Sequence, residues 1–174
     1  MRALETPRLL LRRLRREDTQ AIFENWANDP EVTKYLTWQT HESVETTEQV
    51  MDLWLGAYDE PNCYRYGIQR KEDGALMGMI DVVGYHHGNP VIGYCSGRAF
   101  WNHGYMTEAL RAVVEELQNE GYGTIVIEAV EENIGSRRVI EKAGFTHVGS
   151  RRCALSAIKP RIVTIHSYRM YKRD

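Results

Sequence analysis

The period of apolar and polar positions changes along the chain, and each change marks an element. Residues 8–14, RLLLRRL, mix leucines with arginines whose stems can lie along apolar surface while their charges stay wet, which suits an exposed-edge strand. Glu17 and Asp18 then precede Ala21, Ile22, Phe23 and Trp26 at helical spacing, and this helix is expected to end near Asn28, before Pro30. A short helix or turn follows over residues 30–35. A longer helix is expected over residues 42–58, carrying Val44, Val50, Met51, Leu53, Trp54 and Ala57.

Beyond the Glu60-Pro61-Asn62 break, residues 64–69 alternate, residues 71–74 supply a charged, glycine-ended turn, and residues 75–85 return, so the two runs make a hairpin. Residues 86–90 form the next turn. A strand over residues 91–98 then leads through Asn102-His103-Gly104 into an amphipathic helix, within the stretch RAFWNHGYMTEALRAVVEEL. The β-branched run at residues 124–130 is too short for a helix, residues 131–143 have helical spacing, Gly144 stops them, and residues 145–152 and 162–171 close the chain as strands. This order of elements implies an α/β or mixed α+β fold, a central sheet of about seven strands flanked by helices.

The helix after Gly104 changes the picture from fold to chemistry. Its first N–H groups have no carbonyl partner and its aligned peptide dipoles leave partial positive charge there, so it is suited to hold a phosphate. Composition narrows the rest. With 174 residues and 43% hydrophobic content the chain suits one core, read as a single domain over residues 1–174. Its 22 basic and 24 acidic residues leave a formal charge of −2, which gives no support to nucleic acid as a direct partner. Cys63, Cys95 and Cys153 are scattered, without a CxxC pair, so neither a disulfide framework nor a metal site is indicated and a reducing cytoplasm fits best. No apolar run reaches membrane-spanning length.

Three blocks, ETPRLLLRRLRREDTQAIFENWANDPEV, IGYCSGRAFWNHGYMTEALRAVVEEL and ENIGSRRVIEKAGFTHVGSRR, together resemble the GNAT superfamily of acetyl-CoA-dependent N-acetyltransferases, most closely the branch that acetylates ribosomal-protein N-termini. The resemblance implies acetyl-CoA as co-substrate and an amine acceptor, either a small molecule or a protein N-terminus. Oligomeric state, a homodimer among the options, stays open. It also implies a splayed parallel strand pair, with Tyr94, Cys95, Ser96 and Arg98 along pantetheine, residues 124–130 as the other wall, and Trp101, Asn102, His103, Gly104, Tyr105, Met106 and Thr107 as the pyrophosphate turn. Asn102 stands where the family usually has glycine and Met106 where it has alanine or glycine, so the resemblance implies a slightly different backbone path or a looser phosphate seat. Arg98 replaces a frequent proline and offers a charge to a phosphate.

By the same resemblance Asn133 and Ser136 lie near the sulfur. Other branches carry a thiolate-protonating tyrosine seven residues after this asparagine. That position here is Ile140, which leaves Ser136 as candidate acid, beside the alternative that Asn133 and Ser136 only cap a helix. Val91 occupies the place of a glutamate common in relatives. Candidate bases are then Asp81, Glu128, His86 and His87, each also readable as an ordinary strand or turn residue, with relay through bulk water as a further option. Cys95 is read as packing, as are most of Trp26, Trp38, Trp54 and Tyr58. The competing function on the same fold is a non-catalytic acyl-CoA sensor.

Overall fold

In the computed structural model, which describes residues 1–172, the hydrophobic alternation resolves into one twisted sheet of eight strands. These are β1 (Leu4–Glu5), β2 (Leu9–Arg12), β3 (Arg65–Arg70), β4 (Leu76–His86), β5 (Asn89–Ser96), β6 (Thr124–Val130), β7 (Thr146–Ala154) and β8 (Ile162–Tyr171). Their spatial order is β1-β2-β3-β4-β5-β6-β8-β7. The eighth strand beyond the expected seven is β1, whose two residues pair as Leu4↔Leu11 and Glu5↔Leu10 and are too few to show a period in sequence.

Helices cover both faces. On one face α4 (Tyr105–Asn119) and α5 (Ile134–Ala143) bury Leu110, Val113, Leu117 and Ile140 against Leu9, Leu11, Ile68, Ile80 and Ile92. On the other, α1 (Thr19–Ile22), α2 (Pro30–Thr33) and α3 (Val44–Gly56) contribute Ile22, Val32 and Met51 to a core with Met79 and Cys95. The helix expected over residues 17–28 is less regular than its spacing suggests. A 3-10 turn (Arg16–Asp18) precedes α1 and a π-helical turn (Phe23–Ala27) follows it, closed by Asn28 N–H donating to Phe23 O at 3.0 Å. In that widened turn Trp26 is fully buried and Asn25 Nδ2 donates to Leu76 O at 2.7 Å.

The hairpin between β4 and β5 is tighter than expected. His87 and Gly88 both take positive φ, 50° and 79°, so two residues suffice and Pro90 falls inside β5. All neighbours in the sheet are antiparallel except β5 and β6. That parallel ladder holds only Val91↔Val126 and Ile92↔Ile127, whereas β5 stays paired with β4 out to Gly78↔Ser96 and β6 with β8 out to Val130↔Ile165. The two strands therefore diverge with unpaired main-chain edges facing each other, which buried backbone rarely leaves without a partner.

Candidate active site

The donor half of the site begins where β5 ends. Trp101 Nε1 donates to Ser96 O at 2.9 Å, folding the turn back onto the strand. Asn102 and Gly104 then take left-handed backbone, φ 64° and 78°, so the turn reverses twice and α4 starts at Tyr105. Asparagine is among the few side-chain-bearing residues that adopt this conformation readily, so Asn102 serves where a glycine is usual. Met106 is half-buried, with its side chain packed against the core of the α4 face. The first backbone bond of α4 is Glu108 N–H to Gly104 O at 3.1 Å, which leaves the N–H groups of Tyr105, Met106 and Thr107 at the open end of the helix. Arg8 braces the turn from β2: its Nη1 donates to His103 O at 2.9 Å, its Nε to Glu108 at 2.7 Å, and its guanidinium lies 4.5 Å from the Tyr105 ring, which stacks on His103. Arg98 is held by Asp29, with Nε 2.6 Å from Oδ2, and is more than half exposed.

Between the diverging strands opens a cleft of about 630 Å³. Asp81, on β4 directly opposite Gly93, projects into it from the α3 face and is 7% exposed. Burial pushes its carboxyl above the usual carboxylate range, while Arg65, donating from Nε to Oδ2 at 3.0 Å, pulls the other way. Oδ1 of Asp81 has no hydrogen-bond partner among the described residues. Glu128, on β6 across the cleft, is committed: Arg151 grips both its oxygens, at 2.8 Å for Nη2 to Oε2, and Ser167 Oγ donates to Oε1 at 2.7 Å. Arg151 holds the Glu128 carboxyl below its ordinary range, with Ser167 helping, so it is ionised at neutral pH and a weak base.

On the opposite face of the sheet Asn133 caps α5, its Oδ1 accepting from Ser136 N–H at 3.2 Å. Ser136 Oγ lies 2.9 Å from the Tyr94 hydroxyl, which also reaches Ser136 O at 3.1 Å. Burial pushes the Tyr94 hydroxyl well above its ordinary pKa, so it stays protonated. Tyr94, Asn133 and Ser136 all line the cleft. Cys95 does too, but burial, with Asp81 adding to it, pushes its thiol up and away from thiolate chemistry. His86 and His87 meet edge to face at the hairpin tip, ring centroids 4.4 Å apart, and line no part of the cleft.

The structure thus gathers Asp81, Glu128, Tyr94, Asn133 and Ser136 round one gap, with the turn from Trp101 to Thr107 at the exit of the same strand. Sequence reasoning missed Arg65 and Arg151, whose charges are paired across strands, and the side-chain role of Tyr94. Nothing short-range marked them, because their partners lie 16, 23 and 42 residues away.

A parallel pair opens into a cleft and leads into a glycine-hinged helix N-terminus suited to an anion. The chain belongs to the GNAT family, since the family model described as an acetyltransferase (GNAT) domain matches residues 8–146, and it is an acetyltransferase. It is 32% identical to the N-acetyltransferase YoaA of Bacillus subtilis over 86% of this chain and 85% of that one. A GNAT-family acetyltransferase structure from Bacillus anthracis superposes with a TM-score of 0.85 at 22% identity, covering 98% of each chain. RimL, a ribosomal L7/L12 α-N-protein acetyltransferase solved with coenzyme A, superposes at 0.84 and 18% identity, also over 98% of each. Among the described residues no group of His, Cys, Asp and Glu is arranged to hold a metal ion, and no helix is long and apolar enough to cross a membrane.

Proposed function

We propose that the chain acetylates a primary amine by direct attack, with Asp81 as base and Ser136 as acid. The observation that carries this reading is their placement: Asp81 enters the gap from the α3 face, and the Tyr94–Ser136 pair enters from the α5 face. Strand alternation produces that split, because Gly93, opposite Asp81, and its neighbour Tyr94 point to opposite sides of β5.

Acetyl-CoA, when bound, supplies an activated thioester. The turn from Trp101 to Thr107 presents main-chain N–H groups to its phosphates, Asn102 and Gly104 hold the conformation that exposes them, and the free edges of β5 and β6 offer hydrogen bonds to its amide-bearing arm. Asp81 Oδ1 takes one proton from the ammonium form of the amine, the freed nitrogen bonds to the acetyl carbon, and its second proton passes to solvent. Ser136 Oγ delivers a proton to the sulfur as the carbon–sulfur bond breaks, and the Tyr94 hydroxyl, 2.9 Å from Oγ and donating to Ser136 O, fixes the serine at the gap. Solvent then restores Ser136 and discharges Asp81. No covalent enzyme intermediate enters, in keeping with the inert Cys95.

Acceptors consistent with this site are small amines and protein N-termini. Calorimetry with acetyl-CoA and a thiol-release assay over an amine panel test the reading: binding with turnover of at least one amine supports it, and binding without turnover across the panel would favour the sensor instead. Ser136→Ala is expected to lower kcat about tenfold with acetyl-CoA affinity intact, less than the usual worth of positioned proton transfer because a thiolate leaves with little help. Unchanged turnover would remove Ser136 from its role.

A further inference from the structure

The acceptor half of the cleft contains a second paired charge with unused capacity. Arg65 is bound to Asp81 only through Nε, at 3.0 Å, and neither of its terminal nitrogens finds an acceptor among the described residues. Its side chain is 17% exposed, lines the cleft, and has its guanidinium carbon 5.3 Å from the centre of the Trp54 ring. A guanidinium over an indole is attracted to the ring face and keeps its terminal nitrogens free to donate. Arg151, the other arginine of the cleft, has both terminal nitrogens on Glu128.

A mostly buried arginine with two unanswered donors, beside a carboxylate with an unanswered oxygen, is an ion pair that presents a dipole to the cleft. The acceptor that completes it carries a positive amine for Asp81 Oδ1 and an anion for the Arg65 fork. The spacing between those two groups is set by one guanidinium, because Nε already sits against Asp81. Amine and anion must therefore be separated by very few bonds. A planar carboxylate matches the fork of donors with two parallel hydrogen bonds.

We infer that the acceptor is a zwitterionic amino acid, a primary amine with a carboxylate on the adjacent carbon, anchored by Arg65. This inference rests on the proposed acetylation at Asp81 and chooses between its two acceptor classes. A protein N-terminus places an amide where the carboxylate would sit, and offers the Arg65 fork no charge. Sites built to satisfy such donors discriminate strongly against ligands that leave them empty.

The test compares matched acceptors, phenylalanine and phenylalaninamide, in wild type, Arg65→Gln and Arg65→Lys, reading kcat/KM with acetyl-CoA saturating. Each enzyme's carboxylate-to-amide ratio is the readout, because any effect of the substitution on Asp81 or on folding reduces both substrates alike and cancels. Wild type is expected to prefer the carboxylate, and Arg65→Gln to lower the ratio by about 10–100-fold. Arg65→Lys, which keeps the charge beside Asp81 but loses the fork, is expected to fall between them, and provides the comparison if the glutamine variant does not fold. Equal use of both acceptors by wild type, or a ratio that survives both substitutions, overturns the inference. Turnover of peptide N-termini without turnover of free amino acids overturns it while leaving the proposed acetylation standing. Failure to acetylate any amine overturns both.

Discussion

Asp81→Asn is expected to lower kcat by roughly 10²- to 10⁴-fold, the usual worth of a positioned general base. Acetyl-CoA affinity is expected to stay within a few-fold of wild type, since Asp81 stands in the acceptor half and not at the phosphate turn. Asparagine suits the test because its Oδ1 can still accept from Arg65 Nε, so the arginine keeps a partner while the base is lost. The pH profile supplies a second readout. Burial raises the Asp81 pKa more than Arg65 lowers it, so the carboxylate proposed as base is lost as pH falls through a value above the ordinary carboxylate range. Wild-type kcat should show an acid limb there, and Asp81→Asn should flatten it. A variant with wild-type kcat would assign proton removal to bulk water. Glu128 would not inherit the role, because Arg151 and Ser167 hold it as a weak base.

Gly104→Val is expected to raise the dissociation constant for acetyl-CoA by roughly 10- to 100-fold, from a backbone cost of about 1–3 kcal/mol. Space inside the protein is not the obstacle. A Cβ at Gly104 would meet only Arg8 Nη2, at 3.5 Å, an ordinary contact. The obstacle is φ of 78°, which a β-branched residue adopts only under strain, together with a side chain placed where phosphate oxygens approach main-chain N–H groups. Gly104→Asn separates the two causes, since asparagine already holds φ 64° at position 102. Its affinity is expected between those of wild type and valine, measured by the same calorimetry. Equal affinities for wild type and valine would move the phosphates elsewhere.

The resemblance to the GNAT superfamily was carried by three short blocks, and the donor half was legible because it is local. The turn from Trp101 to Thr107 is built by consecutive residues, and in the cap Asn133 Oδ1 accepts from Ser136 N–H three positions on, so both could be placed before any strand was. The two departures from the family pattern take definite places in three dimensions. Asn102 supplies the left-handed backbone that glycine would, and Met106 spends its side chain on the core. Irregular backbone was harder to read. The π-helical turn after α1 has ordinary helical spacing in its apolar residues, and β1 is held only by its pairing with β2.

By itself, then, the sequence determined the order of elements apart from β1, the strand-turn-helix whose open end suits an anion and the carboxylates available to the chemistry, because periodicity, turn residues and helix ends are short-range properties of a chain. Only the tertiary structure decided what those carboxylates can do. Asp81 and Glu128 are both acidic residues on half-apolar strands, and nothing within a few positions of either tells them apart. They differ because β3 brings one arginine to Asp81 through a single nitrogen, while β7 and β8 surround Glu128 with a forked arginine and a serine. Charge and reactivity in a cleft depend on burial and on partners from distant strands, and those exist only once the sheet has formed.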